Sequence, residues 1–481
     1  MRCLSRACTL VFFTFAVIGG LYSAAQPAGH NKKPKPSSEE IAHADRLFQS
    51  GSFGEAQKAY AQIAAKDPKD FHAVSQLGYI ALLSNKLDDA EPWLRKALDL
   101  KHGDADAKIM LAETLYRKND FFHAARALQG LGPEDAAKLK IYSTLNVAKL
   151  ESFRDDDPYK FERDAGESTR LPFIKSDPLP VVNVRVNGSP DAAFFIDTGG
   201  SELLLDSEFA RELKIKPMGS VEGTFSGGQH AQVENGRVDS ITLGSWTLKN
   251  IPVGILPLRS MSSALGAKQI DGCIGTNVLY QFLSTINYRT GELILRKKTA
   301  ANLKRFDAAG GPPSLPGASR RSGAHTEQSK GQAGNPGGRN SANRAGVING
   351  IVVPMWMAGD HFMVAWGRVN TQPISLFFVD SGLAGASVKL AESTIQQAGI
   401  RLDESKATEG QGGGGSFKTI PYTLAEFTLG EITEQNVTGL YDGPFPWENQ
   451  FGFRLAGMFG NDFLKRYAVT FDFTNMRIIF R

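Results

Sequence analysis

At 481 residues the chain is too long for one ordinary domain, and its 42% apolar content is that of a globular protein with cores to bury. Its 54 basic and 50 acidic residues leave a net charge of +4, too near balance to point to nucleic acid or an anionic membrane as partner.

The chain opens with a short basic region at Arg2 and Arg6, then the apolar run from Val11 to Ile18. That run is shorter than the ~20 residues a membrane-spanning helix needs. Ser23 and Ala25 supply small residues for a peptidase, so residues 1–25 read as a signal peptide cleaved after Ala25. The expectation is an exported protein, periplasmic or extracellular if the cell is bacterial, with no integral membrane segment after cleavage. Cys3 and Cys8 leave with the signal, so Cys273 has no partner for an intramolecular disulfide. It sits in an apolar Cys-Ile-Gly run and reads as a buried small hydrophobe. Residues 26–38 are Pro/Lys-rich and read as a tether.

Helical periodicity follows. Ala56, Ala90 and Ala124 recur at a constant interval of 34 residues (90 − 56 and 124 − 90), and Tyr60, Leu94 and Leu128 each stand four residues further on. This resembles the tetratricopeptide repeat, in three units. The resemblance implies an all-α helical array over 39–150, with 134–150 as a capping helix and a surface for a protein partner. His43, His72, His102 and His123 read as ordinary surface histidines. The charged stretch 151–170 reads as a linker from which the array could be released intact.

From about 171 the period becomes strand-like, with turn signals at Asn187-Gly188 and Gly199-Gly200. One β-rich segment covers 171–300. Residues 301–345 are rich in Gly, Ser, Pro and Asn and hold almost nothing to bury, so they read as a disordered linker. A second β-rich segment covers 346–481. The two segments are copies: Val184 to Gly199 aligns without gaps on Gly367 to Gly382, and 273–295 aligns on 458–480.

Each copy carries the same signals in the same order. An apolar strand ends in Asp197-Thr198-Gly199, or in Asp380-Ser381-Gly382. A lone carboxylate closing an apolar strand is costly without a partner or a function. A glycine-rich stretch follows, 223–228 or 410–415, and then a late apolar-apolar-Gly, Cys273-Ile274-Gly275 or Met458-Phe459-Gly460. Gly410, Gly412 and Gly415 formally match a dinucleotide-binding fingerprint, but strand-like sequence follows them where a helix should open, so they read as a loop.

The paired signals resemble the pepsin/retropepsin-like aspartic proteases, with two retropepsin-type lobes in one chain. The resemblance implies a mainly-β bilobal acid-protease fold behind the helical repeats. It implies Asp197 and Asp380 as a catalytic pair sharing a proton and a water. Thr198, Gly199, Ser381 and Gly382 would support the catalytic turns. Ile274, Gly275, Phe459 and Gly460 would pack beneath them, and the glycine-rich stretches would be flaps over a peptide substrate. Such chemistry uses no metal and no cofactor. Two readings follow: an exported aspartic endopeptidase with a protein-interaction module, or a catalytically inactive, protease-like peptide-binding or scaffold protein. Leu383-Ala384 follows the second Asp-Ser-Gly where the family carries small or hydroxyl residues, and this keeps the second reading open.

Overall fold

A computed structural model describes residues 35–139, 141–162, 166–307 and 350–481. The expected signal peptide, residues 26–34 of the tether, and the 301–345 linker beyond Asp307 lie outside these residues.

The array consists of helices Ser38–Gln49, Phe53–Lys66, Phe71–Leu83, Leu87–Leu100, Ala105–Arg117 and Phe121–Ala127. Local chemistry sets where they start. Ser37 and Glu40 form a reciprocal capping box on the first, and Asp70 and Asp104 accept the Ala73 and Ala107 amides at 2.8 and 3.0 Å on the third and fifth. The recurring Ala56, Ala90 and Ala124 are fully buried. A Cβ at Gly78 would stand 2.7 Å from Leu94, so this close crossing of two helices requires glycine.

The array is fused to the β-lobes. Phe53 packs edge-on against Phe453 and Trp356, at ring separations of 5.0 and 5.4 Å, and the Tyr79 hydroxyl donates to the Phe451 carbonyl. Arg117 is buried beside Glu113 (2.6 Å) and donates to the carbonyls of Leu82, Met357 and Gly359. Lys149 is buried 2.6 Å from Glu202, whose other oxygen accepts the Tyr116 hydroxyl.

The lobes share one antiparallel sheet. Its strands run in the order Ser168–Lys175, Glu292–Arg296, Leu283–Asn287, Ala468–Asp472, Arg477–Phe480, Ile351–Ala358. The lobes join where Thr285 pairs with Thr470, their hydroxyls 2.8 Å apart. Above it each lobe repeats one topology. Ala192–Ile196 lies parallel to Gly272–Ile274, and Ser375–Val379 lies parallel to Leu455–Phe459. No helix among the described residues is long and apolar enough to cross a membrane.

Three expectations need correction. The stretch 151–170 is not a free linker: Lys160–Phe161 pairs with Lys249 and Leu248, and Ser168 already begins the shared sheet. Its charges hide a backbone whose hydrogen bonds are taken up by lobe 1. The segment 134–150 is not one capping helix. It is a short turn and helix to Leu139, then turns over 141–144, then helix Val147–Glu151, started by the Asn146 side chain capping the Lys149 amide. The helix is interrupted there because the Thr144 amide, with the Ser143 hydroxyl, bonds to Asp360 in place of a helical carbonyl. Finally, Ala300–Asp307 is a helix, because Phe306 buries against Leu283 and Ile479.

Candidate active site

Each apolar strand leaves its sheet at the aspartate. Ile196 pairs with Ile274, and the Asp197 amide donates to the Ile274 carbonyl at 3.1 Å. Val379 pairs with Phe459, and the Asp380 amide donates to the Phe459 carbonyl at 3.0 Å. Ile274 and Phe459 thus hold the turns from beneath. A Cβ at Gly275 would lie 2.2 Å from the Glu202 carbonyl, and one at Gly460 would lie 2.6 Å from Leu383, so both positions require close approach.

The turns are locked to each other. Thr198 Oγ1 accepts the Ser381 amide at 2.9 Å and donates to the Val379 carbonyl at 2.9 Å. Ser381 Oγ accepts the Thr198 amide at 2.9 Å and donates to the Ile196 carbonyl at 3.5 Å. Both side chains are fully buried. Thr198→Val keeps the shape but leaves the Ser381 amide without an acceptor, so we expect about 1–3 kcal/mol of lost stability in urea unfolding. An unchanged midpoint would show that the lock carries no weight.

The lock brings Asp197 and Asp380 face to face. The Gly199 amide donates to Asp197 at 2.7 Å and the Gly382 amide to Asp380 at 2.8 Å. A Cβ on Gly199 would lie 2.6 Å from the Asp380 carboxyl, and one on Gly382 would lie 2.2 Å from that of Asp197. Each carboxyl therefore lies against the glycine of the other turn, and two carboxyls held so close cannot both ionise freely, which favours one proton shared by the pair. Burial, then the Asp380 charge, push Asp197 well above the ordinary aspartate value. Burial also raises Asp380, while the neighbouring Asp197 carboxyl, the Gly382 amide, Lys389 and His361 pull it back. Both belong to one coupled pair.

The pair sits in a cleft of about 560 Å³. The glycine-rich stretches are hairpin tips that meet over it: a Cβ at Gly227 would lie 2.5 Å from Phe417, and one at Gly413 would lie 2.7 Å from Phe225. The Gly227 amide donates to Asp442, which pairs with the buried Lys389 at 2.6 Å. Cys273 is buried nearby, and burial holds its thiol well above its usual value, so it is no nucleophile.

Several cleft residues escaped the reading of the sequence: Ile141, Ser143, His361, Lys389 and Asp442, with Asp360 behind them. One signal was available, since extending the ungapped alignment of the copies places His361 against Pro178. Among the described residues no group of three or more His, Cys, Asp and Glu side chains could hold a metal.

Comparison with known families matches an aspartyl protease family over residues 182–278 and 365–445, and a tetratricopeptide repeat family over 41–108. No curated protein matches the chain. Among solved structures, part of the chain is similar to the Yersinia enterocolitica type III secretion chaperone SycD, determined with a peptide of the translocator YopD. Identity is 19% over 24% of this chain and 90% of that chain, with a TM-score of 0.22.

Proposed function

We propose that this chain, which carries an aspartyl protease domain in two segments behind N-terminal tetratricopeptide repeats, is an exported aspartic endopeptidase. The observation that carries the reading is the pair of carboxyl groups on matched, interlocked turns, each lying against the other's glycine in one cleft.

In this reading Asp380, the more readily ionised of the two, takes a proton from a water held between the carboxyls. The resulting hydroxide adds to the scissile carbonyl carbon while Asp197 gives its proton to the carbonyl oxygen. The tetrahedral diol then collapses: the C–N bond breaks, the amine takes the proton from Asp380, and a diol proton returns to Asp197. No covalent enzyme intermediate forms. An extended peptide would lie beneath the two hairpin tips, which must part to admit it. The repeats supply a protein-interaction module, although part of their apolar surface is covered by lobe 2 around Phe451 and Phe453.

The test is digestion of a mixed peptide library from acid to neutral pH, using protein recovered from the exported fraction with its N-terminus near Gln26. New peptide termini are expected. Peptides that bind but remain intact at every pH would sink the proteolytic reading and leave a protease-like peptide-binding protein.

A further inference from the structure

The two halves of the site differ electrostatically, and the difference traces to two matched positions. The alignment that lays Asp380 on Asp197 also lays His361 on Pro178. Strand register agrees, since Val181 pairs with Phe195 as Val364 pairs with Phe378. Likewise Leu204 pairs with Cys273 in lobe 1, and Lys389 pairs with Met458 in lobe 2. All four side chains, Pro178, Leu204, His361 and Lys389, line the cleft. Lobe 1 thus presents two uncharged residues where lobe 2 presents an imidazole and an ammonium.

Neither cation is loose. His361 Nδ1 donates to Asp360 Oδ1 at 2.5 Å, and its ring lies 4.1 Å from that of Phe362. Asp360 is fully buried, and its other oxygen accepts the Ser143 hydroxyl at 3.0 Å and the Thr144 amide at 3.1 Å. Ser143 also bonds to Ser201, beside the Asp197 turn. Asp177, the residue aligned with Asp360, has a side chain 78% exposed and among the described residues reaches only Lys465, so lobe 1 shows no such bracket there. Lys389 is buried against Asp442, which carries the flap amide of Gly227.

We propose that His361 and Lys389 are positioning residues that keep the dyad's negative charge on Asp380 and its proton on Asp197. The segment that follows the helical array, through Ser143 and Thr144 on Asp360, holds His361 where it does this. The kinetic consequence rests on the proteolytic reading; the titration does not. The titratable groups that line the cleft with Asp380 are Asp197, His361, Lys389, Glu409 and Asp442, with Asp360 bonded behind His361 and Asp442 paired with Lys389. A positive charge in a water-poor cleft favours the ionised form of a nearby carboxylate, and an imidazole and an ammonium are side chains able to carry one.

The experiment compares His361→Gln, which loses the charge, with His361→Arg, which keeps one. The readouts are the pH profile of kcat/KM and the carboxyl ¹³C titration of aspartate-labelled protein. His361→Gln should move the acid limb, and the lower carboxyl step, upward by about 0.5–1 pH unit with KM unchanged. His361→Arg should restore both, and Ser143→Ala should shift both by less, in the same direction as Gln. An unmoved carboxyl step, or an Arg variant that behaves like Gln, would overturn the proposal. If the wild type cleaves nothing, the proteolytic reading fails alone, and the carboxyl titration still decides this one. Should His361→Gln fail to fold, Ser143→Ala decides in its place.

Discussion

Asp197→Asn and Asp380→Asn should each reduce peptide cleavage by at least ~10²- to 10⁴-fold while leaving the fold intact, because an amide can serve neither as the base nor as the matching acid. Measured kcat/KM for the double variant should be no lower than for either single one, since the residues act as a unit. Stability should move the other way. Both carboxyls are raised above their ordinary values in the folded chain. A raised value means the dyad's contribution to stability is fully present below the ordinary aspartate value of 3.8 and is lost as pH rises through the raised value. Asp197→Asn should therefore melt above wild type near neutral pH and converge with it in acid. If Asp380→Asn keeps wild-type turnover while Asp197→Asn is dead, the second lobe takes no part in the chemistry.

Arg117→Met should destabilise the whole protein by about 3–5 kcal/mol, because it leaves buried Glu113 without its partner and three carbonyls without their donor. Those carbonyls belong to the array and to lobe 2, and the apolar side chain cannot replace the donors. Glu113 relieves part of the cost by taking a proton: burial pushes its carboxyl up to about 8 despite the pull of Arg117. Arg117→Met/Glu113→Leu should recover only part of the loss, since those carbonyls stay unmet. Unfolding followed by helical circular dichroism and by tryptophan fluorescence should fall on one curve in wild type. Two separate transitions would restore the picture of a detachable helical array, which the junction at Arg117 and Lys149 argues against.

The helical repeat and the duplicated lobes were legible because their signals are local and periodic. A 34-residue interval of alanines reports helices that must cross closely, and these alanines are indeed buried. Asp-Thr-Gly and Asp-Ser-Gly at the ends of apolar strands, each followed by a late apolar-Gly, announce turns with a task beyond packing. The boundaries were less legible. The charged composition of 151–170 says nothing about which neighbouring strand will accept its backbone, and Ser143 and Thr144 look helical until Asp360 is brought to them.

Residue order alone therefore determined the fold classes and the two aspartates, since each follows from a pattern within a few tens of residues. Tertiary structure decided that the two catalytic-type turns meet, that lobe 2 sets His361 and Lys389 in the same cleft, and that the segment after the helical array braces His361 through Asp360. Those outcomes depend on Ser143, Asp360 and His361, and on Arg117 against Gly359, meeting across large sequence separations. No local periodicity records such meetings, because a buried charge is tolerable only where folding delivers its partner.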